Sequence, residues 1–400
     1  MTDRLYYQDS YLTEFRARVV DSSPDRLRVY LDRTAFYPSS GGQPFDTGRL
    51  GNIEVAEVID EDERIGHVLR APLAESEVEG RVDWNRRFDH MQQHTGQHLL
   101  SAVLLEAFAA PTVSFHLGAE SCTIDVSRPL AEDQLREAER RANQVVFENR
   151  PVSISFQLSS EDLGLRKPTE RSGLVRIISI QDLDRSACGG THVRATGEIG
   201  PILIRGLDRI RGNQRIEFVC GMRAVRTARS DFTALSRIAQ TFSAPLEGVA
   251  ALVDAQREKL QEADRARRRL ATELAQLRGR ALYSETAPGP DGVRRVQRRL
   301  DSLSDDLRTE SQAFTEGPQA VFLALGADPP SVLLAVSKDS GFHAGNLLKQ
   351  ALTAAGGRGG GSATAAQGSL PDQVGLDDFA AALLRELKFP PQPFSTQQSS

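Results

Sequence analysis

The sequence predicts a multidomain α+β protein: an N-terminal small β-barrel, an α+β domain, a helical or coiled-coil arm, and a C-terminal small α/β domain with a glycine-rich loop. Three observations predict it. Short segments of alternating polarity separated by turn residues fill the first 85 positions. A long helical pattern that carries His94 and His98 one turn apart follows, among further strands. A charged helical stretch then gives way to two apolar strand segments and a glycine run.

Four hundred residues suit two to four domains, and 40% hydrophobic with 26% charged residues is the composition of folded domains with ample core. The net charge of -5 lends no support to a nucleic-acid partner, although a local basic patch on an acidic protein would still attract phosphate. Three cysteines, Cys122, Cys188 and Cys220, are too few and odd in number for a disulfide framework and fit a reducing compartment. The first residues show no basic start with an apolar run behind it, and no stretch approaches ~18 apolar residues. The expected location is cytoplasmic, with no membrane partner.

Residues 1–85 are read as the barrel domain: FRARVVD and RLRVYLD alternate around SSPD, the loop TAFYPSSGGQPFDTGRLG follows, and IEVAEVID and GHVLR add strands. Residues 86–225 form the second domain. Its helix begins near Asp83 and places Met91, Leu99, Leu100, Val103, Leu104 and Phe108 near helical spacing. Strands at TVSFHLG and SCTIDVS, a helix in LAEDQLREAERRANQVVFENR, and strands at VSISFQL and VRIISI complete it. Residues 226–315 are the arm. Stepping by sevens aligns Val249, Gln256, Ala263, Leu270 and Leu277 on one line and Val253, Leu260, Arg267, Leu274 and Ala281 on the other, an imperfect heptad. TAPGPDG breaks it, and VRRVQRRLDSLSDDLRTE reads as a helix returning antiparallel. Residues 316–390 carry strands AVFLALG and SVLLAVS, helix GNLLKQALTAAG, the loop GGRGGGSATAAQGS and helix DDFAAALLREL. Residues 391–400 read as a disordered tail.

The chemistry concentrates in two motifs. His94-Thr-Gly-Gln-His98 presents two imidazoles from one helix face, and Cys188-Gly-Gly-Thr-His192 presents a thiolate and an imidazole from a turn that glycine lets bend. Each motif alone is ordinary. Together they supply three nitrogens and one sulfur, a natural tetrahedral set for one Zn²⁺ per chain. His90 is read as a bystander, and Cys122 and Cys220 as buried small residues.

HTGQHLL followed about ninety residues later by CGGTH resembles the editing domain of alanyl-tRNA synthetase and its free-standing relatives, the AlaX proteins; threonyl-tRNA synthetase editing domains carry a related pair. FYPSSGGQPFDTG (36–48), SFHLG (114–118) and RIEFVCG (215–221) are similar to further family segments, and GGRGGGSATAAQGS (356–369) resembles the glycine-rich loop of the C-terminal domain shared with DHH-family phosphoesterases. The order matches long-form AlaX, and nothing resembles the aminoacylation motifs. The resemblance implies a trans-acting hydrolase that deacylates mischarged tRNA(Ala), Ser-tRNA(Ala) first and Gly-tRNA(Ala) second, spares Ala-tRNA(Ala), and ligates nothing. A synthetase pocket rejects such near-cognates by only about 1–3 kcal/mol, so a second sieve is needed. The alternatives are a threonyl-type editor of another aminoacyl-tRNA ester and a non-catalytic, zinc-stabilised tRNA-binding protein. Within the resemblance, the metal either activates a water for attack on the ester or orients the substrate while a positioned water attacks.

The same frame assigns further candidates. Thr95 is read as the hydroxyl that senses serine or as a helix-surface residue, and His116 as an acid–base group or a structural strand histidine. Ser40, Gly41, Gly42 and Gln43 close over the amino acid or form a tight barrel turn, and Gln97 lines the pocket. Arg358, Gly359 and Gly360 offer backbone N–H groups to RNA phosphate, or form a connector or dimer contact. Phe342 and His343 are stacking candidates, and Arg81, Arg86 and Arg87 either meet phosphates or form a solvated face. The expected partners are tRNA and a second copy of the chain, joined through the arm or the C-terminal domain.

Overall fold

The computed structural model describes residues 1–170, 172–210, 212–371 and 375–390, in two compact units, Met1–Leu246 and Glu247–Ser400. The tail expected at 391–400 lies outside the described residues.

The first unit opens with β1 (Asp3–Arg4), β2 (Glu14–Ser22), β3 (Arg28–Leu31), β4 (Arg33–Thr34), β5 (Gly48–Leu50), β6 (Ile53–Glu61), β7 (Arg64–Leu69) and β8 (Glu77–Val82). Six of them close a barrel in the order β2-β3-β7-β6-β5-β8, while β1 pairs in parallel with β4. In β8 every second residue (Val78, Gly80, Val82) is buried, the strand alternation that closure requires. Phe15, Val29, Leu31, Phe36, Leu50 and Ile65 fill the interior.

The chain then enters α1 (Trp84–Phe108), whose N-cap Asp83 accepts hydrogen bonds from the Asn85 and Arg86 amides. β9 (Thr112–Leu117), β10 (Cys122–Val126), α2 (Glu132–Glu148), β11 (Val152–Leu158), β12 (Leu174–Ile180), β13 (Asp184–Ala187), β14 (Ile202–Ile210), β15 (Asn213–Cys220) and α3 (Gly221–Thr241) follow. They form a four-stranded antiparallel sheet, β14-β15-β10-β9, and a three-stranded one, β11-β12-β13. α1 packs against strands of both sheets and against α2 and α3. From His90 to Leu104 it is buried on every side, so its polar residues must find partners inside the protein.

The second unit begins with the 37-residue α4 (Val249–Glu285), followed by β16 (Arg294–Leu300), α5 (Asp305–Thr315), β17 (Ala320–Gly326), β18 (Ser331–Val336), α6 (Ala344–Ala354), β19 (Arg358–Gly361), β20 (Ala365–Ser369) and α7 (Leu376–Glu386). The sheet order is β16-β17-β18-β20-β19.

Two expectations are corrected here. The returning helix over VRRVQRRLDSLSDDLRTE is a strand, β16, before it is a helix. β16 lies parallel to β17 at the sheet edge, where Arg295, Arg298 and Arg299 pair with Asp291, Glu310 and Asp377; sheet pairing overrides a pattern that fits helix equally well. α5 packs on α4, closely enough that a Cβ at Gly279 would meet the Glu310 carbonyl. The loop expected at GGRGGGSATAAQGS is a hairpin, β19 and β20, because near-featureless glycine backbone still ladders when a neighbouring strand offers hydrogen bonds.

Candidate metal centre

His94 and His98 project from α1, and Cys188 and His192 from the turn that leaves β13. The potential ligand atoms of all four lie within 4.8 Å of one another. Cys188 Sγ sits 3.4 Å from His94 Nε2 and 3.3 Å from His192 Nε2. Sulfur and nitrogen bound at ordinary zinc distances in a tetrahedron stand about 3.6 Å apart, so these spacings fit a shared ion.

Each imidazole is turned by a partner on its far nitrogen. Gln43 Oε1 lies 2.8 Å from His94 Nδ1, Asp184 Oδ2 lies 3.1 Å from His98 Nδ1, and Thr95 Oγ1 lies 3.1 Å from His192 Nδ1. With Nδ1 donating in each case, all three Nε2 atoms are free to ligate, and the donor set fits Zn²⁺ with its outer partners in place. Gln43 is itself fixed, its Nε2 donating to Thr191 Oγ1 at 2.8 Å and its Oε1 accepting from the Thr191 amide at 3.2 Å. Asp184 also accepts from Arg166 Nε at 2.6 Å.

The ligand turn is held by Arg176 on β12, whose Nη1 donates to the carbonyls of Cys188 at 2.7 Å and Gly190 at 2.9 Å. Gly190 is required on steric grounds. A Cβ there would come within 3.0 Å of the His94 ring and would crowd Gln43 Oε1. Gly96, inside HTGQH, lets α1 pass against Cys220 in the same way.

Burial opposes the Cys188 thiolate, yet the charges of His94 and His192 and their hydrogen bonds hold the thiol well below its ordinary value. Burial also opposes charge on His98, but hydrogen bonds to Asp184 and Cys188 carry it up to about 9. His192 is pushed down to about 3, first by burial and then by repulsion from His94. The lowered Cys188 and His192 favour a thiolate and a neutral imidazole, the forms a metal takes up, whereas a metal must displace a proton from His98.

A cavity of about 470 Å³ opens on the centre and is lined by His94, Gln97, His98 and Cys188, with Ser40, Gly41, Gly42 and Phe115 as one wall. Gln43 stands behind the wall as the partner of His94. Two of the expected site residues lie off this lining. Thr95 is fully buried and does not line the cavity; besides meeting His192, its hydroxyl accepts from the Val193 amide at 3.2 Å. His116 is exposed and outside the cavity lining. It follows Phe115 on β9, whose ring packs against Gly42 while the imidazole is exposed.

The arginine cluster also divides. Arg81 is exposed and ion-paired to Glu14. Arg86 is half-buried and its Nε donates to the Phe45 carbonyl at 2.9 Å. Arg87 is wholly buried, paired with Asp46 and donating to the carbonyls of Ser10 and Ala35, so it faces no phosphate. His90, Cys122 and Cys220 are buried away from the ligand cluster. In the second unit Arg358 and Gly359 are exposed on the edge strand β19, and Gly360 lines a separate cavity of about 820 Å³. Phe342 packs on that unit's core, and His343 caps α6 by accepting from the Asn346 amide.

Sequence reasoning missed Asp184, Arg166, Arg176 and the tyrosines Tyr6, Tyr7 and Tyr37. Only Asp184 left a signal: it stands two and four residues before Ser186 and Cys188, the spacing that puts strand residues on one face.

Residues 175–217 match the family described as threonyl and alanyl tRNA synthetase second additional domain, and residues 305–388 match the DHHA1 domain. The alanyl-tRNA editing protein AlaX-L of Pyrococcus horikoshii is 32% identical over 94% of this chain and 96% of its own length. Alanine-tRNA ligases of Pyrococcus abyssi (32%) and Thermococcus kodakarensis (34%) align with 93% and 94% of the chain, which spans 42% of the length of each. The chain belongs to the AlaX-L family of alanyl-tRNA editing proteins, related to the editing and C-terminal domains of alanyl-tRNA synthetase. No helix among its described residues is long and apolar enough to cross a membrane.

Proposed function

We propose that this chain is a zinc-dependent, trans-acting deacylase of mischarged tRNA(Ala), with Ser-tRNA(Ala) as its first substrate and Gly-tRNA(Ala) as a weaker one. The observation that carries the reading is the three-imidazole, one-sulfur cluster at the foot of a cavity whose wall is the glycine-rich barrel loop. Zinc held by His94, His98, Cys188 and His192 supplies a Lewis acid to polarise the ester carbonyl or lower the pKa of a water.

The chain's own residues do the rest. Gln97 Nε2 donates to Ser101 Oγ at 2.8 Å, which leaves Gln97 Oε1 buried, beside the cavity and without a partner among the described residues. That acceptor receives a hydrogen bond from the serine hydroxyl. Neither an alanyl nor a glycyl group has a hydroxyl to give, so both leave the oxygen unmet, which disfavours the correct ester and makes the glycyl ester the weaker substrate. Ser40–Gly42 and Phe115 close the wall and exclude bulk water, with Gly42 at φ +81° lying against the Phe115 ring. Gln43, Thr95 and Asp184 hold the three imidazoles in their ligating orientation.

The test is deacylation of Ser-, Gly- and Ala-tRNA(Ala) by the intact protein, by Cys188→Ala and by a chelated sample. Serine release by the intact protein alone, with Ala-tRNA(Ala) spared, is the expected result. Rapid loss of alanine, or unchanged rates after chelation, would overturn the reading.

A further inference from the structure

The cavity is larger than the reading above requires. At about 470 Å³ it falls in the range that buries a ligand of roughly drug size, more than a single amino acid fills. Its metal-side lining is accounted for. Its outer lining includes Arg4, Tyr6, Tyr7, Asp60, Arg166 and Lys167, from the segment ahead of the barrel, strand β6 and the connection between β11 and β12. None of these residues has been given a role in the chemistry.

Their character is consistent. Three cations face one carboxylate there, on a chain whose net charge is -5. Arg4 is bidentate to Asp60 at 2.9 and 2.7 Å, which accounts for that pair. Arg166 is spent on Asp184 and on Ser186 Oγ at 3.2 Å. Lys167 is exposed and has no ion pair among the described residues. Tyr7 is half-buried beside this charge. Its ring meets Tyr6 edge-on at 5.0 Å between centroids, and the Arg4 and Arg176 guanidiniums stand 5.6 and 5.4 Å from its centre.

Both elements are tied rigidly to the metal ligands. Arg176, which grips the carbonyls of Cys188 and Gly190, also donates through Nε to the Tyr7 carbonyl at 2.9 Å. Arg166, next to Lys167, bonds the carboxylate that orients His98. An aromatic ring is therefore held at a fixed offset from the metal ligands, and an exposed cation follows the anchored Arg166, in one cavity.

We propose that the outer part of this cavity is a nucleotide subsite, in which Tyr7 packs against the terminal base of the acylated RNA strand and Lys167 pairs with the phosphate on the 5′ side of that nucleotide. The proposal rests on the deacylase reading. Base–aromatic contact holds any base and a phosphate–lysine pair reads only charge, so this subsite positions the ester without selecting the amino acid. Tyr7 and Lys167 are positioning residues, and their loss falls on KM.

Steady-state hydrolysis of Ser-tRNA(Ala) by the full zinc-loaded chain tests it, with zinc content measured for every variant. Tyr7→Leu is expected to raise KM about tenfold with kcat within about twofold, and Tyr7→Phe to stay near the parent. Lys167→Ala is expected to raise KM severalfold and to lower the slope of log KM against log salt by about 0.7, and Lys167→Arg to restore both. Should Tyr7→Leu lose zinc, the exposed Lys167 pair decides alone. Ester hydrolysis with KM unmoved in Tyr7→Leu and Lys167→Ala would overturn the subsite and leave the deacylase standing. An unaltered chain that leaves the ester intact would overturn both.

Discussion

Gly190→Ala isolates the packing that holds His94 against the ligand turn. Position 190 has no left-handed backbone requirement, so alanine is tolerated by the main chain itself. The added methyl carbon would come closer than 3.0 Å to Cε1 and Nδ1 of His94 and stand 3.0 Å from Gln43 Oε1. Relaxed carbon contacts need roughly 3.5 Å, so either the ring or the turn must retreat by about 1 Å. Metal–ligand bonds tolerate about 0.2 Å. The ring cannot retreat without breaking the 2.8 Å bond from Nδ1 to Gln43, and the turn cannot without breaking the Arg176 bonds to Cys188 and Gly190. Loss of one outer partner lowers metal affinity by about 10–100-fold, and a displaced ligand adds to that, so zinc affinity should fall at least ~100-fold. Overpacking of this kind also destabilises by about 1–3 kcal/mol, which in a unit of this size is a fall in Tm of roughly 2–12 °C. The assay is chelator competition with a chromogenic zinc probe, alongside a thermal melt. Gly360→Ala, where an added Cβ meets nothing within 4 Å, is the control. A Gly190→Ala protein with one zinc per chain and an affinity within twofold of the parent would refute the steric argument.

Three further outcomes follow from the same geometry. Thr95→Val removes the hydroxyl beside His192 Nδ1 and should weaken zinc about tenfold by the same competition assay, while Thr95→Ser should hold it; equal affinities for the two would show that the hydroxyl orients nothing. Arg87→Met leaves Asp46 buried without its cation and should destabilise by about 3–5 kcal/mol in urea unfolding; a change under 1 kcal/mol would contradict the burial of that pair. His67, sealed in the barrel beside Thr34, is pushed by burial down to about 4 from an ordinary 6.5. The unfolded chain therefore binds that proton first as pH falls. Stability is full above pH 6.5 and declines toward pH 4, by up to about 3 kcal/mol. Urea midpoints between those limits should fall less steeply in His67→Gln than in the parent, and parallel curves would deny the effect.

The ligands were legible because metal spacing is a local property: His94 and His98 are one turn apart and Cys188 and His192 flank a glycine pair, so neither needs the tertiary fold to be recognised. The helix beneath them was legible from Asp83 and from six apolar positions. What surrounds the metal was not. Whether the His116 or the Phe115 side chain packs against Gly42 depends on which side of β9 meets the barrel loop. Thr95 looks like a surface residue in a helix that is in fact buried all round, where a hydroxyl is satisfied by His192 and Val193 rather than by a ligand. Arg87 reads as solvent charge until Asp46, 41 residues away, is placed against it. β16 defeats pattern reading because RRVQRRL is equally compatible with a helix face and with an edge strand whose arginines find carboxylates on other elements.

The first eleven residues explain why barrel and metal domain form one unit. This segment crosses both. Arg87 at the start of α1 donates to the Ser10 carbonyl at 2.8 Å, and Ser10 Oγ accepts from the amide of the ligand His192 at 3.3 Å. The Tyr7 carbonyl accepts from Arg176 at 2.9 Å, and the Tyr11 hydroxyl bonds Glu198 and accepts from the Arg194 amide at 3.0 Å. Gln43 adds a bond from the barrel loop to each side of the centre, one to His94 and one to Thr191. The metal site is thus assembled from α1, the ligand turn, the barrel loop and the N-terminal strap, and no one of these carries all the orienting bonds. A fragment that starts at α1 would retain all four ligands yet lose Gln43 and Ser10, so it would keep the donor atoms without the partner that fixes His94 or the contact that fixes the His192 backbone.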